Sequence, residues 1–343
     1  MTTSPPAGFD LASPFLDGSD LAVSFSSPAL ADQPLTYVNG AFCRLVGYGR
    51  EECVGRNCRF LQGEATDPSA VARVRAGIEA LEYRLTPLLN YRSDGEAFTN
   101  GLLVGPVLDA DERSVLLFGM QWDIDRTLRL RRDRGASHDR GRSDPSLQLE
   151  RFERLIARVV DASGRHDVKP CRPTAIVERL VSIARPQQYP PHERFPNWTR
   201  ADSLLSYLSE PYGDDVAAGL RIGGDAEVLA VDAAHPLALA VHELSLATRR
   251  QARASGEAPR VELSCGLVPI GGEPALELAW SVAQPTVADA ENEAARATRA
   301  GFAIVADVVG SFGGRFEAEL GGCGIEAALR LPNRMHDASE ARP

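Results

Sequence analysis

The feature that most limits how this chain can fold is a break in its patterning. Residues 126–142 read RTLRLRRDRGASHDRGR, a basic, glycine-containing stretch whose first half suits a helix and whose second half does not. On both sides lie short apolar runs separated by turn signals, so the 343 residues must divide into at least two folded parts joined by this connector.

Before the connector, residues 1–17 are rich in Ser, Pro and small side chains and read as a flexible tail. Leu35–Val38 has the look of a strand and Ala41–Val46 of a short helix. Glu82–Tyr91, Ala97–Leu108 and Val115–Trp122 read as three more strands, broken at Ser93–Asp94–Gly95 and Asp109–Ala110–Asp111. An early hairpin, short helices and a late meander predict a small α+β domain over residues 18–125. After the 126–144 linker, Pro145 opens a helix with apolar residues at Phe152, Leu155, Ile156, Val159 and Val160. Ile176, Val177, Leu180, Val181 and Ala184 repeat that spacing, and with a short helix near Asp202–Glu210 they predict a helical hairpin over 145–215.

Residues 216–335 alternate differently. A helix is expected at Leu237–Ala247 and a hairpin of Val261–Leu267 with Leu276–Val282 around Gly271–Gly272. Another helix is expected at Phe302–Phe312, with a closing strand pair at Arg315–Leu320 and Ile325–Leu331. That is a two-layer α/β sandwich, followed by a tail at 336–343. The whole chain is therefore expected to be α+β.

Composition excludes several functions. The formal net charge of −10 disfavours nucleic acid or an anionic membrane surface as the main partner. No apolar run approaches the ~20 residues needed to span a bilayer, and the N-terminus lacks the pattern of a secretory signal. A cytoplasmic protein is the expectation. The six cysteines form no C-x-x-C pair or Cys/His cluster, so neither a disulfide framework nor a metal site is indicated. No phosphate-binding glycine loop is present.

The string Gly55–Arg56–Asn57–Cys58–Arg59–Phe60–Leu61–Gln62 carries the chemistry. It resembles the signature of light-oxygen-voltage (LOV) domains, flavin-binding blue-light sensors of the PAS fold. Leu88–Arg92, Asp94–Gly95, Phe98–Asn100 and Gly119–Gln121 follow in the family's order, so the resemblance runs from about Leu21 to Asp125. It implies FMN, or another flavin, and a reversible bond between the thiol of Cys58 and flavin C4a under blue light. It implies that Arg59, Gln62 and Arg75 serve the phosphate and ribityl chain, with Asn57 beside the chain. Asn90 and Asn100 would meet the pyrimidine edge, whose carbonyls and N–H an amide can pair in both directions. Gln121 would face N5 and change its favoured orientation when N5 gains a proton.

From about 143 to 333 the chain resembles an output module of the HWE/HisKA2 histidine kinase type. The resemblance rests on Ala238–Leu244 with its His242–Glu243 pair, Leu278–Trp280, Ala300–Phe302 and Gly313–Gly314. The departures fall on the chemistry. Ala247 stands where a magnesium ligand belongs, Val282 where a carboxylate meets adenine, and Gly141 where the phosphoaccepting histidine belongs. His138 lies three residues out of frame. The resemblance thus implies a degenerate module that signals by binding a response regulator or another signalling protein, with ATP and magnesium in doubt. Two readings of His242 and Glu243 stay open, a residual nucleotide site or a polar pair at a buried helix end. The alternative output is an active, light-regulated histidine kinase with a divergent ATP site. Monomer and homodimer are both compatible with the hairpin.

Overall fold

The computed structural model describes residues 14–109, 111–126, 145–167, 174–189, 198–212, 221–223, 228–256, 259–270, 273–283, 293–321 and 324–333. Of these, 14–126, 145–157 and 174–181 belong to one compact unit, and 158–167 with the described residues from 182 onward to a second. Within 145–215, expected as a helical hairpin, the described residues 145–157 and 174–181 fall in the first unit and 158–167, 182–189 and 198–212 in the second.

The first unit is built on an antiparallel sheet of five strands: β1 (Ala22–Ser26), β2 (Leu35–Val38), β3 (Arg84–Tyr91), β4 (Ala97–Leu108) and β5 (Ser114–Asp123), in the order β2-β1-β5-β4-β3. Between β2 and β3 run α2 (Gly40–Val46), α3 (Arg50–Cys53), a 3₁₀ turn (Cys58–Leu61) and α4 (Pro68–Glu79). Local chemistry sets these bounds. Asn39 caps α2, Gly47 ends it in the left-handed region, and Asp67 caps α4 with Pro68 at the first helical position. Two apolar clusters tie helices to sheet: Phe42, Val46, Cys53 and Leu61 on β1 and β2, and Ala70 on Leu88 and Leu102.

The expected tail, residues 1–17, runs too far. Residues Pro14–Asp17 form a helical turn, α1, with Phe15 and Leu16 buried. Asn39 donates to the Leu16 and Leu21 carbonyls and accepts from Val23 N and Phe42 N, so one buried amide joins α1, β1 and α2. The Tyr37 hydroxyl donates to Asp17. In the same unit the Trp122 ring meets Phe152, on the Pro145–His166 helix, edge to face at 5.9 Å between centroids.

The second unit carries a sheet in the order β11-β12-β10-β9-β7, formed by β11 (Arg315–Gly321), β12 (Gly324–Pro332), β10 (Glu273–Ala283), β9 (Val261–Ile270) and β7 (Arg221–Gly223). Only the β7–β9 pairing is parallel. The helices Val231–Ser255 and Glu293–Ser311 pack together beside this sheet, their buried faces supplied by Leu237, Val241, Leu244, Ile304 and Val308. A two-stranded ladder, β6 (Trp198–Arg200) with β8 (Val228–Ala230), lies apart from it. Three expectations are corrected here. The first helix begins at 231 rather than 237, because Pro236 is tolerated inside it. The last helix begins at 293 rather than 302, so Glu293–Gly301 extends the expected Phe302–Phe312 helix at its N-terminal side. The strand pairs run longer than expected, although the Gly271–Gly272 turn itself lies outside the described residues.

Candidate functional site

In the first unit a cavity of about 360 Å³ lies between the helices and the sheet, within the size range of small-molecule sites. Strand alternation builds its floor, because every second residue faces the same side of a sheet. Leu88 and Asn90 on β3, Asn100, Leu102 and Val104 on β4, and Leu117, Gly119 and Gln121 on β5 all line it. Val71, Val74, Arg75 and Ile78 of α4 close the other side.

The 3₁₀ turn brings Cys58 to the wall. Gly55 at φ +88° turns the chain after α3, and reciprocal bonds with β2 (Leu35 N to Arg56 O and Gly55 N to Leu35 O, both 2.8 Å) pin the turn. Asn57 then caps it by accepting from Arg59 N. The Cys58 thiol is pushed up to about 12, first by burial and then by neighbouring Cys53. Cys58 is half-buried at the cavity wall, and the desolvation of its sulfur keeps it a thiol at neutral pH.

The structure gathers Asn57, Cys58, Arg59, Gln62, Arg75, Asn90, Asn100 and Gln121 around this one cavity. They differ in their other engagements. Asn57 donates to the Asp32 carbonyl and Arg59 pairs with the exposed Asp32 carboxylate, so both also have structural partners. Arg75 has no ion pair among the described residues. Asn90, Asn100 and Gln121 are 1–3% exposed. Asn100 Nδ2 donates to Asn90 Oδ1, while Asn100 Oδ1 and Gln121 Oε1 are buried without any hydrogen-bond partner. Two unpaired acceptors cost about 1–3 kcal/mol each unless a ligand donates to them. Apolar walls, three buried amides, a thiol and guanidinium groups at Arg59 and Arg75 match the donor and acceptor set of a flavin.

Sequence reasoning missed Ser24, whose hydroxyl accepts from Gln121 Nε2 at 3.1 Å. Alternation along β1 was the available signal: Ser24 and Ser26 share the cavity face.

The second unit treats its motif residues differently. His242 and Glu243 are 1% and 2% exposed and lie mid-helix, not at a helix end. His242 Nδ1 is 2.6 Å from the Tyr212 hydroxyl, and the Glu243 carboxylate packs where a side chain on Gly301 would otherwise stand. Ala247 and Val282 are buried apolar core. His138 and Gly141 lie outside the described residues. Among the described residues no His, Cys, Asp and Glu cluster suits a metal ion, and no helix is long and apolar enough to cross a membrane.

A family model described as a PAS domain matches residues 29–125. Blue-light-activated histidine kinase 1 of Erythrobacter litoralis is 31% identical over 326 residues, covering 91% of this chain and 86% of its own length. Blue-light-activated histidine kinase 2 of the same organism is 52% identical over 93 residues, 27% of each chain. A solved blue-light-activated histidine kinase of Erythrobacter litoralis superposes with a TM-score of 0.60 at 24% identity, over 94% of this chain and 98% of that one, and shares the fold.

Proposed function

The chain belongs to the family of LOV-domain blue-light-activated histidine kinases, and we propose that it is a blue-light receptor in which Cys58 is the photoreactive residue and FMN the flavin. The observation that carries the reading is the convergence of the Cys58 thiol and two unpaired buried acceptors, Asn100 Oδ1 and Gln121 Oε1, on one cavity. FMN is favoured over an uncharged flavin by Arg59, Gln62 and Arg75, which together suit a phosphate. When bound, the flavin supplies the absorption of blue light and a ring carbon open to sulfur.

The protein's own residues do the rest. With a flavin held there, Cys58, protonated at neutral pH, would supply both sulfur and proton: the S–H bond would break and its two parts would add across one ring C=N double bond, which becomes single, and the dark return would restore both. Asn90 and Asn100 would orient the ring edge. Gln121 has an amide end suited to either protonation state of that nitrogen: Nε2 to donate, Oε1 to accept.

The signal has a route out. Gln121 faces the cavity and the next residue, Trp122, faces the other side of the sheet, where it packs on Phe152. A light state changes the output only insofar as its two arrangements differ in free energy, and this contact is where a shift of β5 would be felt.

For the output we propose signalling by binding to a response regulator or another signalling protein. A magnesium nucleotide needs oxygen ligands and an adenine partner, and buried Ala247 and Val282 offer neither. Active phosphotransfer is the second reading, favoured by the family to which the chain belongs. Incubation with labelled ATP in darkness and light separates the two: no phosphoprotein and no ATP binding supports the first, and light-dependent label that His242→Ala or His138→Ala removes supports the second.

A further inference from the structure

A buried amide that must turn over during a photocycle needs a neighbour able to pair with both of its ends. An apolar neighbour satisfies neither, and a carbonyl or carboxylate satisfies only the N–H end. A hydroxyl has one donor and two acceptor sites and satisfies both. Ser24 is such a neighbour. It is 3% exposed, on the cavity wall, and accepts from Gln121 Nε2 at 3.1 Å. Its own O–H points to the Gly119 carbonyl at 3.4 Å, the long end of the hydrogen-bond range.

The contact is built into the β1–β5 ladder. The residue directly across from Gln121 is Ala22, which has no polar side-chain atom, and Ser24 lies across from Gly119. Ser24 reaches diagonally to Gln121 because Gly119 has no side chain. A Cβ there would lie 2.6 Å from Ser24 Oγ and 3.1 Å from Gln121 Nε2, closing the space the bond occupies.

We propose that Ser24 is the positioning residue of the light switch. In the dark its oxygen accepts from Gln121 Nε2. When the amide turns, the Ser24 O–H leaves the weak bond to Gly119 and donates to Gln121 Oε1, so that this oxygen, unpaired in the first orientation, gains a donor. The turn is thereby written into the β1–β5 ladder as well as into the cavity. This deepens the reading of the cavity as a flavin site with Cys58 as its reactive partner, and rests on it.

The test compares full-length wild type with Ser24→Ala, Ser24→Val and Ser24→Thr; valine and threonine match in shape and differ in the hydroxyl. One readout needs no flavin: exchange of the Gln121 side-chain N–H protons with water, followed by ¹⁵N NMR in the flavin-free protein. The second is the light-minus-dark infrared shift of the ¹³C-labelled Gln121 carbonyl. Loss of one hydrogen bond predicts exchange about fivefold faster in the alanine and valine variants. It also predicts a carbonyl shift about half that of wild type, with threonine like wild type in both. A valine variant that matches wild type in both readouts, while the protein still bleaches under blue light, overturns the role of Ser24 alone. A wild-type protein that binds FMN and never bleaches overturns the flavin photochemistry and this role with it.

Discussion

Asn100 donates from Nδ2 to Oδ1 of Asn90 at 2.8 Å, joining amides on neighbouring strands, both buried at the cavity wall. Asn90 Nδ2 donates in turn to the Leu89 carbonyl at 3.0 Å. The pair therefore fixes its own orientation and leaves Asn100 Oδ1 as an acceptor for whatever the cavity holds. Asn100→Leu should leave Asn90 Oδ1 without its donor and cost about 1–3 kcal/mol of stability. It should also lower the flavin retained through gel filtration severalfold. Urea denaturation and the ratio of visible to ultraviolet absorbance check both; unchanged retention would remove the amides from the site.

The cysteines give the first unit an alkaline limit. Burial is the main cause that raises Cys58 from 9.0 to about 12 and Cys53 from 9.0 to about 11. Above pH 9 the unfolded thiols release protons that the folded ones keep, so the unfolded state binds fewer protons and stability falls as pH rises. The loss should start near pH 9, continue to about 11–12, and be absent below 9. Urea midpoints from pH 7.5 to 10.5 measure it, and Cys53→Ala with Cys58→Ala together should flatten that slope.

Arg92 links the sheet to α2. Its guanidinium pairs with Asp123, whose side chain is 3% exposed, bonds the Leu45 carbonyl and lies 4.3 Å over the Phe98 ring. Arg92→Met removes the counter-ion of a buried carboxylate and should destabilise the sensor by about 3–5 kcal/mol, lowering its melting temperature. A shift equivalent to under 1 kcal/mol would contradict the pairing.

Much of this was legible in the sequence, for physical reasons. Short apolar runs broken by turn residues exposed β3, β4 and β5, and the Gly55–Gln62 string placed the thiol and its neighbours. Ser24 escaped because a serine on a strand looks the same whether it faces a cavity or water. The three-residue strands β6, β7 and β8 are too short to show a period. Pro236 hid the first turns of the Val231–Ser255 helix, since proline usually ends one. The turns of the last helix before Phe302 are alanine-rich and lack an apolar stripe to mark them, and Phe15–Leu16 were lost in a tail of small residues.

The Trp122–Phe152 contact makes coupling separable from photochemistry. Phe152→Ala should leave flavin content, bleaching and dark recovery within about twofold of wild type. Hydrogen exchange over 145–157 should lose its dependence on light. Exchange there that still responds to light would route the signal elsewhere.

The reaction at one sulfur is the heart of the account, and an absorption spectrum recorded before, during and after blue illumination tests it most directly. Wild-type protein supplied with FMN should be yellow, lose its blue absorption under light and regain it in darkness, while Cys58→Ala stays yellow and does not bleach. Colourless wild-type protein, or reversible bleaching that persists in Cys58→Ala, would contradict it.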